Sequence, residues 1–114
     1  MSDLSEEDAK LIALARQARG RIQAAEGAAV RDETGRSYSG ATIALPSTQL
    51  TALQLAVAQA VAAGARDLEA AVVVTKQTAV DSTSVAEASS TPTPLIVCSV
   101  RGDVVDSTTV ELRG

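Results

Sequence analysis

The sequence contains no histidine and a single cysteine, Cys98, in 114 residues. Without histidine, neither a Ser-His-Asp nor a Cys-His catalytic arrangement can form, and no imidazole titrates near neutral pH. One cysteine cannot form an intrachain disulfide, and alone it cannot complete a tetrahedral zinc site of nitrogen and sulfur ligands. Only carboxylates, lysines, hydroxyls, one tyrosine and one thiol remain as groups for catalysis. Because this set is small, we expect no metal and no cofactor.

Long apolar runs and positive charge are also scarce. No run approaches the roughly 20 residues needed to cross a bilayer, and the acidic segment 1–8 is unlike a secretory or transit signal. These features predict a cytoplasmic protein with no membrane partner. Because the net charge is −4 and binding to phosphate backbones needs clustered basic side chains, we expect no nucleic-acid partner. The basic cluster formed by Lys10, Arg16, Arg19 and Arg21 is interpreted as the solvated face of a helix.

The residues that are present alternate between helical and strand patterns along one domain, residues 1–114. Apolar residues every three or four positions predict a helix over residues 5–25 with Ser5 as its N-cap. Short apolar stretches at 28–30 and 38–45, joined by a glycine turn, predict a β-hairpin. The later predicted elements are a helix over 48–63 with Ser47 as N-cap, a strand over 68–75, a short helix over 81–88, a strand over 95–100 and a last strand or helical turn over 104–112. This order predicts an α/β fold, a three-layer α-β-α sandwich with a mixed sheet of about five strands.

The predicted helix over 48–63 contains no charged residue. A helix that is apolar on most sides is buried, either by the rest of its own chain or by a second subunit, and a chain of this length buries it incompletely. We therefore predict a homodimer or homotetramer or a contact with a protein partner. The interface candidates are Leu50, Leu53, Val57 and Val61. The backbone amides at 47–49 are expected to begin this helix and to favour an anionic or carbonyl group.

Other chemistry-bearing residues have simpler structural interpretations. Cys98 lies in an apolar segment and is interpreted as a small buried side chain rather than a reactive thiol. The adjacent carboxylates of Asp32 and Glu33 are expected to be solvated in a turn. Asp103 and Asp106 flank a turn and could contact a cation, although no complete calcium loop is present. The segment rich in serine and threonine over 82–93 is open to interpretation as a phosphorylated or a disordered loop.

Several segments resemble the cytidine deaminase superfamily, in particular the small bacterial nucleoside deaminases. Gly-Ala-Ala-Val at 27–30 and Tyr-Ser-Gly-Ala at 38–41 are similar to the family's Gly-Ala-Ala hairpin, which ends in Tyr-x-Gly-Cys. Residues 51–56 and 60–64 are similar to its Cys-Ala-Glu helix, which ends in Ala-Val-x-x-Gly. A later strand and turn over 95–104 complete the resemblance, which therefore spans most of the chain.

The resemblance also implies where the family's functional residues fall. Its first zinc ligand and its proton-carrying glutamate match Thr51 and Leu53, but a hydroxyl is a poor zinc ligand and leucine carries no proton. The second pair of zinc ligands falls within 76–93, which has no cysteine or histidine. The asparagine and glutamate that hold the ribose fall near Thr42 and Ala44. The resemblance thus implies a degenerate site and a pseudoenzyme.

Two functions stay open from the sequence. The first is a non-catalytic protein of the deaminase fold that acts as an oligomeric scaffold or partner subunit. The second is a protein that binds a nucleoside-like small molecule without turning it over. An active cytidine or nucleoside deaminase is a third alternative, which would require metal ligands that we do not find in the sequence.

Overall fold

A computed structural model describes residues 4–112, so the first three residues of the acidic segment lie outside the described range. The helices in this range are α1 (Glu6–Ile22), α2 (Ala52–Ala62) and α3 (Thr83–Ala88). The strands are β1 (Gly27–Asp32), β2 (Ser37–Ala41), β3 (Ile43–Leu45), β4 (Thr48–Leu50), β5 (Leu68–Val74), β6 (Thr93–Cys98) and β7 (Val104–Val110). No helix of the described range is long and apolar enough to span a membrane.

Five of the strands form one mixed sheet in the order β2-β1-β5-β6-β7. The β5–β6 pair is parallel, and the other three pairs are antiparallel. The pairing register places Ala41, Gly27, Val74, Cys98 and Val104 in one row across the sheet. This row marks the carboxyl edge of the sheet, where β5 and β6 end. The end of β2 and the starts of β1 and β7 meet at the same edge.

Helices cover both faces of this sheet. Successive strand residues point to opposite sides, and the apolar residues on each side pack against helices. On one face, Leu11 and Ala15 of α1 share a buried cluster with Val72 and Val74 of β5. On the other face, α2 and α3 share a second buried cluster with the alternate strand residues, including Val73. The prediction of an α/β fold with a mixed sheet of about five strands is confirmed.

The first helix begins as predicted and ends earlier. The hydroxyl of Ser5 accepts a hydrogen bond from the N–H of Asp8 at 3.0 Å, which satisfies one of the free donors of the first turn. The helix stops at Ile22 rather than near residue 25, because Gln23 adopts the left-handed conformation with φ of +50°. Its N–H bonds the carbonyl oxygen of Gly20, which closes the last turn.

The predicted second helix is wrong over its first four residues. Residues 48–50 form β4, which pairs with β3 in a separate two-stranded sheet, so the predicted strand over 38–45 is also divided. The N-cap of α2 is Thr51 rather than Ser47. The hydroxyl of Thr51 accepts from the N–H of Gln54 at 3.0 Å, and the Gln54 side chain accepts from the N–H of Thr51 at 2.9 Å. Since this reciprocal capping box fixes the start of the helix, the amides at 47–49 are not a helix N-terminus.

The segment over 82–93 is structured in the described chain. It contains α3 and leads into β6 through a loop that Asp67 holds. One carboxylate oxygen of Asp67 accepts from the N–H of Ser90 at 2.8 Å, and the other accepts from its hydroxyl at 2.6 Å. These bonds lower the pKa of Asp67. The last predicted element, over 104–112, is the strand β7 rather than a helical turn.

Candidate functional site

Two adjoining clefts open at the carboxyl edge of the sheet, where ligands of open α/β sheets commonly bind. The first, which we call the α1 cleft, has a volume of about 530 Å³ and runs between the end of α1 and the end of β5. The second, the β7 cleft, has a volume of about 510 Å³ and is lined by Val97, Val105 and Asp106 among others. The two share Thr75, Lys76 and Gln77. This strip of three residues after β5 is therefore the common wall of the site.

Thr75 holds the floor of the α1 cleft in a fixed arrangement. Its side chain is buried, and its hydroxyl donates to a carboxylate oxygen of Glu26 at 2.7 Å. The same hydroxyl accepts from the N–H of Gln77 at 2.9 Å, and the Thr75 N–H donates to the carbonyl oxygen of Cys98 at 3.0 Å. The hydrogen bonds position the Glu26 carboxylate at the cleft.

Thr42, which the resemblance places at a ribose-holding position, does line the α1 cleft. Its hydroxyl accepts from the N–H of Glu26 at 2.9 Å, and its own N–H donates to the Glu26 carbonyl oxygen at 3.1 Å. Thr42 thus joins the end of β2 to the start of β1. Ala44 does not line either cleft, since it is exposed in β3 opposite Gln49.

The other two degenerate positions, Thr51 at the N-cap of α2 and Leu53 within it, line neither cleft. The hydroxyl of Thr51 takes part in the capping box. Leu53 is only 2% exposed and shares its buried cluster with Val85 and Ala86 of α3. The structure therefore places the Thr51 hydroxyl at a helix cap and the Leu53 side chain in the apolar core.

The described residues do not fit the zinc ion that the family resemblance implies. Among residues 4–112, no three histidine, cysteine, aspartate or glutamate side chains lie together as a possible metal site. Cys98, as the sequence predicted, is buried, and it belongs to the cluster beneath α1 rather than to the α2 face. Burial and the nearby Asp103 raise the pKa of its thiol, although Arg16 opposes the shift.

The turn between β1 and β2 corrects one prediction about carboxylates. Asp32 was expected to be solvated but is 2% exposed. Its carboxylate accepts from the N–H and hydroxyl of Thr34, the N–H of Arg36 and the hydroxyl of Tyr38, at 2.7–3.0 Å. Burial alone would raise the pKa of Asp32, but these hydrogen bonds lower it below its usual value. Both Asp32 and Tyr38 are therefore engaged in structure.

The other carboxylates of interest are exposed. Glu33 accepts hydrogen bonds from the N–H groups of Arg66 and Asp67, which anchors the loop before β5. Asp103 lies in the turn before β7, and Asp106 lines the β7 cleft. The prediction that Glu33 is exposed holds.

The predicted interface residues divide into two pairs. Leu53 and Val57 are buried in the chain's own core, whereas Leu50 is half-buried and Val61 is 55% exposed. A second subunit could therefore contact Leu50 and Val61 without disturbing the fold. The exposed residues of α2 also include Gln54, Ala58 and Gln59, none of which is charged.

The sequence did not identify most of the cleft residues. The pattern of apolar residues places Arg19 on a solvated helix face and gives no signal for Glu26 or Lys76. Thr75 and Lys76 directly follow the most apolar strand, and polar residues after a parallel strand are candidates for a ligand site. That rule predicts the strip after β5 from the sequence. It does not predict Arg19, because the position of this residue at the cleft depends on how α1 packs.

The sheet topology and the order of the elements define an α/β protein with one parallel strand pair and helices on both faces. The family model for cytidine deaminase-like proteins matches residues 4–102, so the chain belongs to this family. A crystal structure of cytidine deaminase from Burkholderia pseudomallei is similar, with a TM-score of 0.75 and 21% sequence identity over 93% of each chain. This similarity confirms the predicted deaminase-like fold. No curated protein shows significant sequence similarity to the chain.

Proposed function

We propose that this chain is a non-catalytic member of the cytidine deaminase-like family that serves as a subunit of a protein assembly. The proposal rests on the environment of the Leu53 side chain. This side chain, at the position that the resemblance gives to a proton-carrying glutamate, packs in the apolar core with Val85. A carboxylate there would lose its hydration without gaining a partner, which is costly. The hydroxyl of Thr51 supports the same interpretation because it caps a helix.

Assays for deamination and for zinc test the absence of catalysis. The purified protein is loaded with zinc, dialysed, and incubated at high concentration with cytidine and deoxycytidine, and the uridine products are separated and quantified. We expect no product above the protein-free rate and much less than one zinc per chain. Turnover that a chelator abolishes would contradict the proposal. The Thr51→Val variant serves as a control, because activity from a contaminating deaminase would not change with it.

The surface of α2 supports the role in assembly. The helix has no charged residue from Ala52 to Ala62, and Val61 is exposed on it. An uncharged surface of this kind loses little hydration when a second chain covers it. We propose that contact occurs through this surface in a homodimer or homotetramer.

The oligomeric state of matched variants tests this contact. Val61→Asp introduces a charge on the exposed side of α2 and is expected to lower the mass measured by light scattering after size exclusion. Ile22→Asp is the control, because Ile22 is 57% exposed and lies on α1. A monomeric wild type, or an equal loss of mass in both variants, would contradict assembly through α2. Leu53→Asp and Val57→Asp would not be informative, since they disrupt the core.

The α1 cleft favours a second candidate function, the binding of a nucleoside-like small molecule without turnover. Its volume lies in the range of small-molecule sites, and hydroxyl, amide and carboxylate groups surround it. A thermal-shift titration with bases, nucleosides and nucleotides tests this function. A ligand present at 100 times its dissociation constant adds about 2.7 kcal/mol to the stability of the native state, which raises the unfolding temperature measurably. The absence of a saturable shift across the panel would contradict it.

A further inference from the structure

The α1 cleft contains two cationic side chains that form no ion pair with any residue from 4 to 112. Arg19 reaches it from the last turn of α1, and Lys76 reaches it from the strip after β5. In the described part of the chain, both ion pairs belong to Arg31, which binds Asp8 and Glu69. Arg19 and Lys76 therefore bring to the cleft positive charge that no ion pair within the described range takes up.

Arg19 is held beside the cleft with an unsatisfied donor. A Cβ atom added to Gly27 would lie 2.8 Å from the Cβ of Arg19, so α1 packs directly on the start of β1. The Nε–H of Arg19 is shielded from solvent and has no hydrogen-bond partner among the described residues. A desolvated cationic donor without an acceptor is unfavourable. Rotation of the guanidinium towards the cleft would allow it to donate to an anionic oxygen there.

The negative groups near these cations are few and already engaged. Among the residues that the structure describes, Glu26 is the one carboxylate that lines the α1 cleft, and Thr75 donates to it. The carbonyl oxygens of Arg19 and Gly20, at the negative end of α1, accept from the N–H groups of Ala24 and Gln23. These bonds weaken the attraction that the end of the helix has for the cations. The side chains lining the cleft thus have a formal charge of +1.

We propose that the α1 cleft binds a small phosphate monoester carried on a hydroxylated molecule, with the phosphate between Arg19 and Lys76. This inference deepens the second of the proposed functions and rests on it. A phosphate monoester has close to two negative charges at neutral pH. It therefore matches the two unpaired cations better than a carboxylate, which has one negative charge. Gln23, Thr42 and Gln77 line the same cleft and can bond hydroxyl groups of the carrier. The site is separate from Thr51, the N-cap of α2, and from Leu53 within that helix.

Calorimetric titration with ribose 5-phosphate, inorganic phosphate and ribose tests the site in a low-salt buffer without phosphate or sulfate. We expect saturable binding of ribose 5-phosphate, weaker binding of phosphate and none of ribose. Arg19→Gln and Lys76→Gln should each weaken binding of ribose 5-phosphate by at least about tenfold, the effect typical of losing a charged hydrogen bond. Arg21→Gln is the matched control, because it removes the same charge from an exposed position of α1 that does not line the cleft. It should change the affinity by less than about twofold.

The outcomes separate this inference from the function on which it rests. Binding of ribose as tight as that of ribose 5-phosphate would overturn the phosphate site and leave the binding of neutral nucleosides intact. If Arg21→Gln weakened the binding of ribose 5-phosphate as much as Arg19→Gln and Lys76→Gln do, the effect would be one of general charge. That result would also overturn the site. The absence of saturable binding by every phosphate compound would also overturn the phosphate site, whether or not neutral nucleosides bind. Circular dichroism verifies the fold of each variant, and Lys76→Gln, at an exposed position, provides the test if Arg19→Gln does not fold.

Discussion

Asp32 ends β1 and organises the turn to β2 through hydrogen bonds to Thr34, Arg36 and Tyr38. The pattern of an aspartate followed two residues later by threonine is typical of a side chain that bonds its own turn. The turn, with Gly35 at positive φ, could therefore be predicted from the sequence. The burial of Asp32 could not, because it depends on how the Tyr38 side chain lies across the hairpin.

The lowered pKa of Asp32 predicts a dependence of stability on acid pH. Because the pKa is lower in the folded state than its usual value of 3.8, the folded state binds fewer protons in this range. The stabilisation that the ionised Asp32 carboxylate provides is complete well above pH 3.8 and is lost as the pH falls through the folded-state pKa. Asp32→Asn, which cannot ionise, should have a smaller decline in the free energy of unfolding across this interval.

Urea unfolding at a series of pH values from about 7 to about 2.5 measures this decline. Asp103→Asn is the control, since it makes the same substitution at an exposed position in the turn before β7. Parallel pH profiles for the wild type and Asp32→Asn would contradict the assigned role. At neutral pH, Asp32→Ala should also lower the free energy of unfolding by about 2–3 kcal/mol, because it removes the charged acceptor of four part-buried hydrogen bonds.

At the scale of elements, the contact between α2 and β2 depends on a glycine. A Cβ atom added to Gly40 would lie 2.8 Å from the carbonyl oxygen of Ala52 and 2.8 Å from the nitrogen of Ala56. Both are backbone atoms of α2, which cannot move aside without shifting the whole helix. Gly40 thus sets the distance at which α2 packs on the sheet.

Gly40→Ala and Gly20→Ala should have opposite effects on stability. We expect Gly40→Ala to lower the free energy of unfolding by about 1–3 kcal/mol because of overpacking. Gly20 lies within α1, and an added Cβ would meet nothing within 4 Å, so Gly20→Ala should raise it by about 0.5–1 kcal/mol. Thermal and urea unfolding of the two variants measure both values. Equal destabilisation by the two alanines would contradict the close approach at Gly40.

The same scale shows how far sequence patterns determine the elements. The apolar run of β5 and the cap of α1 at Ser5 were predictable, because local signals and burial agree there. The start of α2 was not, since Ser47 and Thr51 are both good N-cap residues. The choice depends on the pairing of β3 with β4, a contact that leaves little trace in periodicity, and on the side chain of Gln54, which completes the box at Thr51.

At the scale of the whole molecule, the candidate site is assembled from distant parts of the chain. Arg19 comes from a helix, Glu26 and Thr42 flank two antiparallel strands, and Lys76 follows a third strand. Family resemblance could predict the architecture and the position of Thr42, because element order carries both. It could not predict the cations of the cleft, because the placement of Arg19 follows from the packing of α1 on Gly27.

The edge strand β7 has a consequence for motion. Six of its seven residues are exposed, so detaching it from β6 would uncover little of the core. Segments of this kind open locally at a lower free energy than global unfolding, and their amide protons exchange with solvent correspondingly faster. Hydrogen–deuterium exchange followed by mass spectrometry should therefore show fast exchange in β7 and slow exchange in β5, which is covered on both faces. Slow exchange in β7 that sets in as the protein concentration rises would instead indicate that another chain pairs with this edge.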